Sequence, residues 1–151
     1  MYNTSQLFTM GHRKKPPPRG VIDFADKDFV SLDENILVAE AARIMYERDV
    51  CSVIVTRNDI NKSFRQSVGI ITPRDILQRV VAQSKGPFKV TLKDIMSTAL
   101  ITINKNASTN DAILLMKGKN ITRLPVINED GEILGIVSLK TVVGRISHEN
   151  I

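Results

Sequence analysis

Apolar positions along this chain change period in a fixed order, and the order occurs twice. Val30 to Leu32 and Ile101 to Ile103 are short apolar runs that predict strands. Each leads into an amphipathic stretch, Glu34 to Arg48 and Ser108 to Lys119. There Ala41, Ile44, Met45 and Ala112, Leu115, Met116 recur at helical spacing. Ser52 to Thr56 and Leu124 to Ile127 are short, apolar and flanked by turn formers, the pattern of buried strands. Turns over Asn58 to Gln66 and Asn128 to Glu132, the second built tightly on Asp130-Gly131, lead by hairpin into Val68 to Ile71 and Ile133 to Val137. A second helix follows each hairpin, over Pro73 to Ala82 and over Leu139 to Ile146. The predicted unit is strand, helix, strand, strand, helix, present twice.

The residues repeat along with the pattern. Val21 to Val55 lies over Leu92 to Val126 without a gap, and after a connection five residues longer in the first copy, Gly69 to Leu77 lies over Gly135 to Val143. Asp23/Asp94, Asn35/Asn106, Ala41/Ala112, Met45/Met116, Val55/Val126, Gly69/Gly135 and Ile70/Ile136 are identical pairs. Internal duplication fixes the architecture before any single residue does. A copy of about 60 residues buries too little surface to be comfortably stable alone, so the copies should pack on each other. The expected division is a disordered basic tail over 1–19, a first unit over 20–85, a linker over 86–90 and a second unit over 91–151.

With 42% hydrophobic and 25% charged residues the composition is that of an ordinary soluble globular protein. The formal charge of +5 is local, because Arg13, Lys14, Lys15 and Arg19 supply four of the five. That arm contains three consecutive prolines, which favour extended polyproline II over a packed fold. It can solvate the protein, or touch a phosphate backbone or an acidic partner. The single Cys51 excludes an internal disulfide and a Cys-rich metal site, and fits a cytoplasmic location. No run reaches the roughly 20 apolar residues that cross a bilayer, and the first residues carry no secretory signal pattern.

An ordered set of motifs carries a family resemblance: Lys93 to Ser97 (KDIMS), Arg123 to Ile127 (RLPVI), the hairpin, and the closing GIITPRD from Gly69 and GIVSL from Gly135. Together these resemble a tandem pair of cystathionine-beta-synthase (CBS) domains, a Bateman module, over residues from about 20 to 147. The resemblance implies a mixed α/β (α+β) fold in which two pseudo-twofold-related units pack through their sheets. It also implies two clefts that take adenosine compounds such as AMP, ADP, ATP or S-adenosylmethionine, and a homodimer forming a four-unit disc.

The residues of one cleft can be read chemically. In Thr72-Pro73-Arg74-Asp75 a strand gives way to a helix, placing a hydroxyl and a carboxylate three residues apart beside free backbone donors. One carboxylate can accept from both hydroxyls of a ribose. The same residues also form a good helix cap, close to a capping box with Pro at the first helical position. Both roles are open at this level, and they are compatible. The resemblance adds Cys51, Ser52, Thr102, Ala107, Ile121, Thr122 and Arg123 to this site. Arg123 is a candidate for phosphate, or for pairing with Asp49 or Asp75; Arg74 and Lys140 are further cations at helix starts. The second copy has Ser138 and Thr141 where the first has Thr72 and Asp75. Its cleft, with Ser31 and Val50, is therefore expected to bind more weakly.

Catalysis has little support. His12 and His148 lie near the two ends of the chain, Cys51 suits a small buried hydrophobe, Asp26 and Asp28 look like exposed linker residues, and no GxxxxGK[ST] loop is present. The expectation is a non-catalytic sensor that requires no cofactor and no metal. It binds an adenine nucleotide as a regulatory ligand, mainly at Thr72 and Asp75, and acts on a separate effector protein or through assembly. The alternatives are a nucleic-acid-binding protein that grips phosphate with the arm and the 57–65 loop, where Arg57, Lys62 and Arg65 cluster, and a ligand-free dimerisation scaffold.

Overall fold

The structure, a computed structural model, describes residues 19–149. The basic arm before Arg19 lies outside them. The first copy comprises β1 (Val30–Asp33), α1 (Val38–Arg48), β2 (Val53–Arg57), β3 (Gln66–Ile71) and α2 (Pro73–Ile76), which continues as a π-helical turn (Leu77–Val81). The second copy opens with a short helix α3 (Leu92–Ile95) and continues with β4 (Ile103–Asn104), α4 (Thr109–Lys119), β5 (Arg123–Ile127), β6 (Ile133–Ser138) and α5 (Leu139–Glu149). A 3-10 turn, Val21–Phe24, opens the first copy as α3 opens the second. The mixed α/β fold and its repeated order are those read from the sequence.

Helix α1 starts at Val38, later than the periodicity predicts. Asp33 Oδ1 accepts the N–H of Asn35 at 2.9 Å, and the Asp33 carbonyl accepts the N–H of Ile36 at 3.1 Å. This side-chain turn holds the chain out of the helix. Asn104 makes the equivalent turn with the N–H of Asn106 at 2.9 Å. Helix α4 caps itself, since Ser108 Oγ accepts the N–H of Asp111 at 3.0 Å and Asp111 Oδ2 accepts the N–H of Ser108 at 3.2 Å. Helix α1, preceded by Leu37, has no such side chain. Its first N–H groups, on Val38 and Ala39, donate to the carbonyls of Val90 and Pro87 at 2.9 and 3.0 Å. The segment joining the copies is thus the cap of α1.

Each copy forms one three-stranded sheet, ordered β1-β2-β3 and β4-β5-β6. The first strand pairs parallel to the second across the helical crossover, and the hairpin adds the third antiparallel. The register shifts between Val55 and Thr56 in one sheet and between the matching Val126 and Ile127 in the other. Ile54, Ile133 and Ile136 form a buried cluster between the sheets, with Phe29, Ile70, Leu100 and Ile127 packed against it.

The lead-in segments are exchanged between the copies. Val21 and Phe24 belong to the core built on Ile103, Ala112, Met116, Leu124, Val126, Val137 and Val142 of the second copy. Leu92 and Ile95 belong to the core built on Val38, Ala41, Val55, Ile71 and Val80 of the first. Paired backbone hydrogen bonds fasten the crossings. Asp26 and Ile136 exchange N–H···O bonds at 2.8 and 2.9 Å, and Ser97 and Ile70 do so at 3.2 and 3.3 Å. Gly135 and Gly69 sit beside these crossings. A Cβ on Gly135 would lie 2.9 Å from the Asp26 carbonyl oxygen, and one on Gly69 2.9 Å from that of Ser97.

At the far ends of β1 and β2, Arg57 donates to both oxygens of Glu34 at 2.7 Å, and Arg65 donates to Asp33 and to Thr56 Oγ1. The Arg57 hydrogen bonds hold the Glu34 carboxyl below its ordinary value, and the Asn35 N–H together with Arg65 does the same for Asp33. Asp94 is lowered by the N–H and hydroxyl of Thr91. Carboxylates depressed on folding contribute stability that is present above their unfolded pKa values, near 4, and is lost as pH falls through the folded values. Urea midpoints are therefore expected to be flat from about pH 7 to 5 and to fall below about pH 4. In Glu34→Gln that acid fall is expected to be shallower.

Candidate functional site

The strand-to-helix junction after β3 forms one wall of a cleft of about 550 Å³. Thr72 caps α2 in extended conformation, with Pro73 supplying a preset φ at the first helical position. Asp75 Oδ2 accepts from the N–H and the hydroxyl of Thr72 at 2.9 and 3.0 Å, and the Asp75 N–H donates to Thr72 Oγ1 at 3.4 Å. Asp75 Oδ1 lies 3.8 Å from Arg79 Nη2, beyond a hydrogen bond, so this oxygen keeps its acceptor capacity. The Asp75 side chain is only 15% exposed, which raises the strength of any hydrogen bond it accepts from a ligand. Arg79 in turn donates to the Ile95 carbonyl at 2.6 Å, tying α2 to the exchanged lead-in.

The second copy supplies the opposite wall. Ser97, Ala99, Leu100 and Ile101 come from the chain between α3 and β4, and Asn120, Ile121, Thr122 and Arg123 from the turn into β5. That turn depends on Asn120, which ends α4 in the left-handed region at φ 53°. The cleft carries Arg74 and Arg123 against the single carboxylate of Asp75. Apolar side chains, backbone carbonyls, a carboxylate and two guanidinium groups suit a ligand with a flat ring, vicinal hydroxyls and negative charge.

A second cleft of about 650 Å³ is built from the matching parts of the other copy. Ser138 and Thr141 replace the cap pair, with a hydroxyl-to-hydroxyl bond of 2.7 Å, and Ser138 Oγ accepts the Thr141 N–H at 3.1 Å. The motif carboxylate is absent here, yet Asp26, Asp28 and Asp49 bring three acids beside Lys27 and Arg123. Asp49 ends α1 at φ 52°, as Asn120 ends α4. Asp26 and Asp28 are exposed, and the antiparallel crossing of Asp26 on Ile136 sets them at this cleft instead of in a free linker.

The residues expected around Thr72 and Asp75 divide between the two clefts. Arg74, Ile121, Thr122 and Arg123 stand with them. Cys51 and Ser52 line the other cleft, with Val50, Ser138 and Thr141, because the turn into each central strand faces the cap of the opposite copy. Ser31 and Thr102 are repeat equivalents, and neither lines either of these two clefts; Ser31 is exposed on strand β1. Ala107 accepts the N–H of Val21 at 2.9 Å and helps fasten the exchanged lead-in. Ser97, Ala99, Leu100 and Asn120 escaped the reading of the sequence. The signal that could have found them is the duplication itself, since they match Asp26, Asp28, Phe29 and Asp49 of the other cleft.

The loop cations stand apart from both clefts. Arg57 and Arg65 are committed to Glu34 and Asp33 at the other end of the sheet, and Lys62 lies 5.9 Å from the Phe64 ring centre. Among the described residues no cluster of His, Cys, Asp and Glu can hold a metal ion, and no helix is long and apolar enough to cross a membrane.

Comparison with known proteins agrees with the repeated fold. The chain matches the CBS domain over residues 21–82 and again over 92–148. It is 33% identical over 121 residues to the uncharacterized protein MK0525 of Methanopyrus kandleri, which covers 80% of this chain and 59% of that protein, so the chain spans about three fifths of that relative. It is 30% identical over 131 residues to the CBS domain-containing protein YhcV of Bacillus subtilis, covering 86% of this chain and 88% of that one. The fold is similar to the CBS domain pair of MJ0100, solved with 5-methylthioadenosine and S-adenosyl-L-methionine, with a TM-score of 0.73, 26% identity, and coverage of 89% of this chain and all of the other. Two matched segments, two equivalent sheets and two equivalent clefts place the chain in the CBS domain family, as a tandem pair.

Proposed function

We propose that this chain is a non-catalytic regulatory module that senses an adenosine-containing ligand, bound chiefly in the cleft of Thr72 and Asp75. AMP, ADP or ATP is the favoured ligand, with S-adenosylmethionine as the alternative within the same chemistry. The observation that carries this reading is the state of Asp75. It caps α2 with one oxygen, keeps the other available, and shares a cleft of about 550 Å³ with its neighbour Arg74 and with Arg123 of the opposite wall. A ribose held by the free oxygen would set the phosphate toward the two guanidinium groups. The solved MJ0100 pair with adenosine compounds supports the same ligand class. The ligand would act by differential affinity for two states of the module, read by a separate cytoplasmic effector protein or by a homodimer of four CBS units.

Isothermal titration with AMP, ATP and S-adenosylmethionine, beside Asp75→Ala, tests this. Saturable binding that weakens about tenfold or more in the variant is expected. The absence of heat from all three ligands, or equal affinity in the variant, would overturn the reading. Salt dependence separates it from phosphate-backbone binding, whose affinity falls steeply with ionic strength.

A further inference from the structure

We propose that Arg123 is shared by the two clefts, so that a phosphate-bearing ligand in one withdraws positive charge from the other. This regulation rests on the adenosine-ligand reading above. Arg123 opens β5, with its Cα in register with Ser138, and lines both the Asp75 cleft and the Thr141 cleft. It also borders a third hollow of about 430 Å³ beside Lys140 at the start of α5. Its repeat equivalent is the buried, uncharged Ser52. The duplicated architecture therefore supplies one guanidinium where two clefts meet.

That guanidinium is uncommitted. Asp26, Asp28, Asp49 and Asp75 all line the same clefts, yet among the described residues none lies within ion-pair distance of Arg123. A planar fork engages a phosphate by two parallel hydrogen bonds, and its single positive charge, once neutralised by that phosphate, no longer offsets a second one. The clefts also differ in what remains once Arg123 has turned away. The Asp75 cleft keeps Arg74 against one carboxylate, whereas the Thr141 cleft keeps Lys27 against Asp26, Asp28 and Asp49. Filling the first cleft with a nucleotide would leave the second more negative, with one cation in place of two against three carboxylates. It would then disfavour a second phosphate but not an uncharged nucleoside. Because coupling between sites is reciprocal, a nucleotide in the second cleft weakens the first by the same factor.

Cys51, the chain's single cysteine, is exposed and lines the Thr141 cleft, so its rate of alkylation reports occupancy there. Protection of Cys51 by AMP and by adenosine would be measured in the full chain and in Ala99→Trp, which fills the Asp75 cleft without changing a charge. Each would also be measured with Arg123→Ala, and calorimetry on all four chains would record binding. AMP is expected to protect Cys51 at about tenfold lower concentration in Ala99→Trp than in the unaltered chain, with adenosine the same in both. The difference is expected to vanish without Arg123. Asp75→Asn, which keeps an oxygen for the helix cap, empties the same cleft by a second route should the Trp variant fail to fold. Equal AMP midpoints, a difference that survives Arg123→Ala, or an equal shift for adenosine would overturn the sharing of Arg123 while binding heat persists. Neither heat nor protection with AMP would overturn the nucleotide reading itself.

Discussion

Phe24→Ala is expected to cost about 3–5 kcal/mol, and the loss should be felt first in the copy to which Phe24 does not belong by sequence. Phe24 is 4% exposed and packs in the core of Met116, Leu124 and Val137, so truncation leaves a cavity under the second sheet. Hydrogen exchange on the folded protein separates the two possibilities. Amides of Leu124, Val126 and Val137 should lose protection ahead of those of Val53 and Val55. Loss confined to β2 and β3 would contradict the exchanged packing. Leu92, fully buried in the first core, is the mirror of this experiment, and its removal should expose β2 and β3 first.

Gly135→Val is expected to destabilise by about 3 kcal/mol, at the upper end of overpacking costs. The added Cβ would stand 2.9 Å from both the Asp26 carbonyl oxygen and the Ala25 Cβ. Neither can move alone, because the Asp26 carbonyl accepts the Ile136 N–H at 2.9 Å in the same crossing. Gly69 offers a graded comparison. Its added Cβ would meet Met96 Sδ at 2.7 Å and the Ser97 carbonyl at 2.9 Å, and the thioether is flexible enough to retreat. Gly69→Ala should therefore cost less than Gly135→Ala in urea denaturation with unchanged m. The reverse order would show that Met96 cannot retreat from the added methyl group.

These two expectations show where the sequence was legible. The identical pair Gly69 and Gly135 was visible as part of the repeat, but its purpose was not. A glycine in a strand signals close backbone approach, and only the folded chain shows that the approaching backbone is the other copy's lead-in. Helix α4 could be placed to within a residue because Ser108 and Asp111 are local capping chemistry. Helix α1 could not, since its cap is the carbonyl groups of Pro87 and Val90, some fifty residues away.

The sequence by itself determined the repeated order of elements and the difference between Asp75 and Thr141, and its motifs carried the family resemblance that implied two clefts. The repeat and the difference are encoded in periodicity, in local turn chemistry and in the comparison of one copy with the other. Tertiary structure alone decided which residues face each other. It moved Cys51 and Ser52 to the Thr141 cleft, brought Asp26, Asp28 and Asp49 there with them, and set Arg123 between both sites. The physical reason is that neither copy closes its own core. Burying Val21, Phe24, Leu92 and Ile95 requires the lead-ins to cross between the copies, and the clefts are what that crossing leaves open.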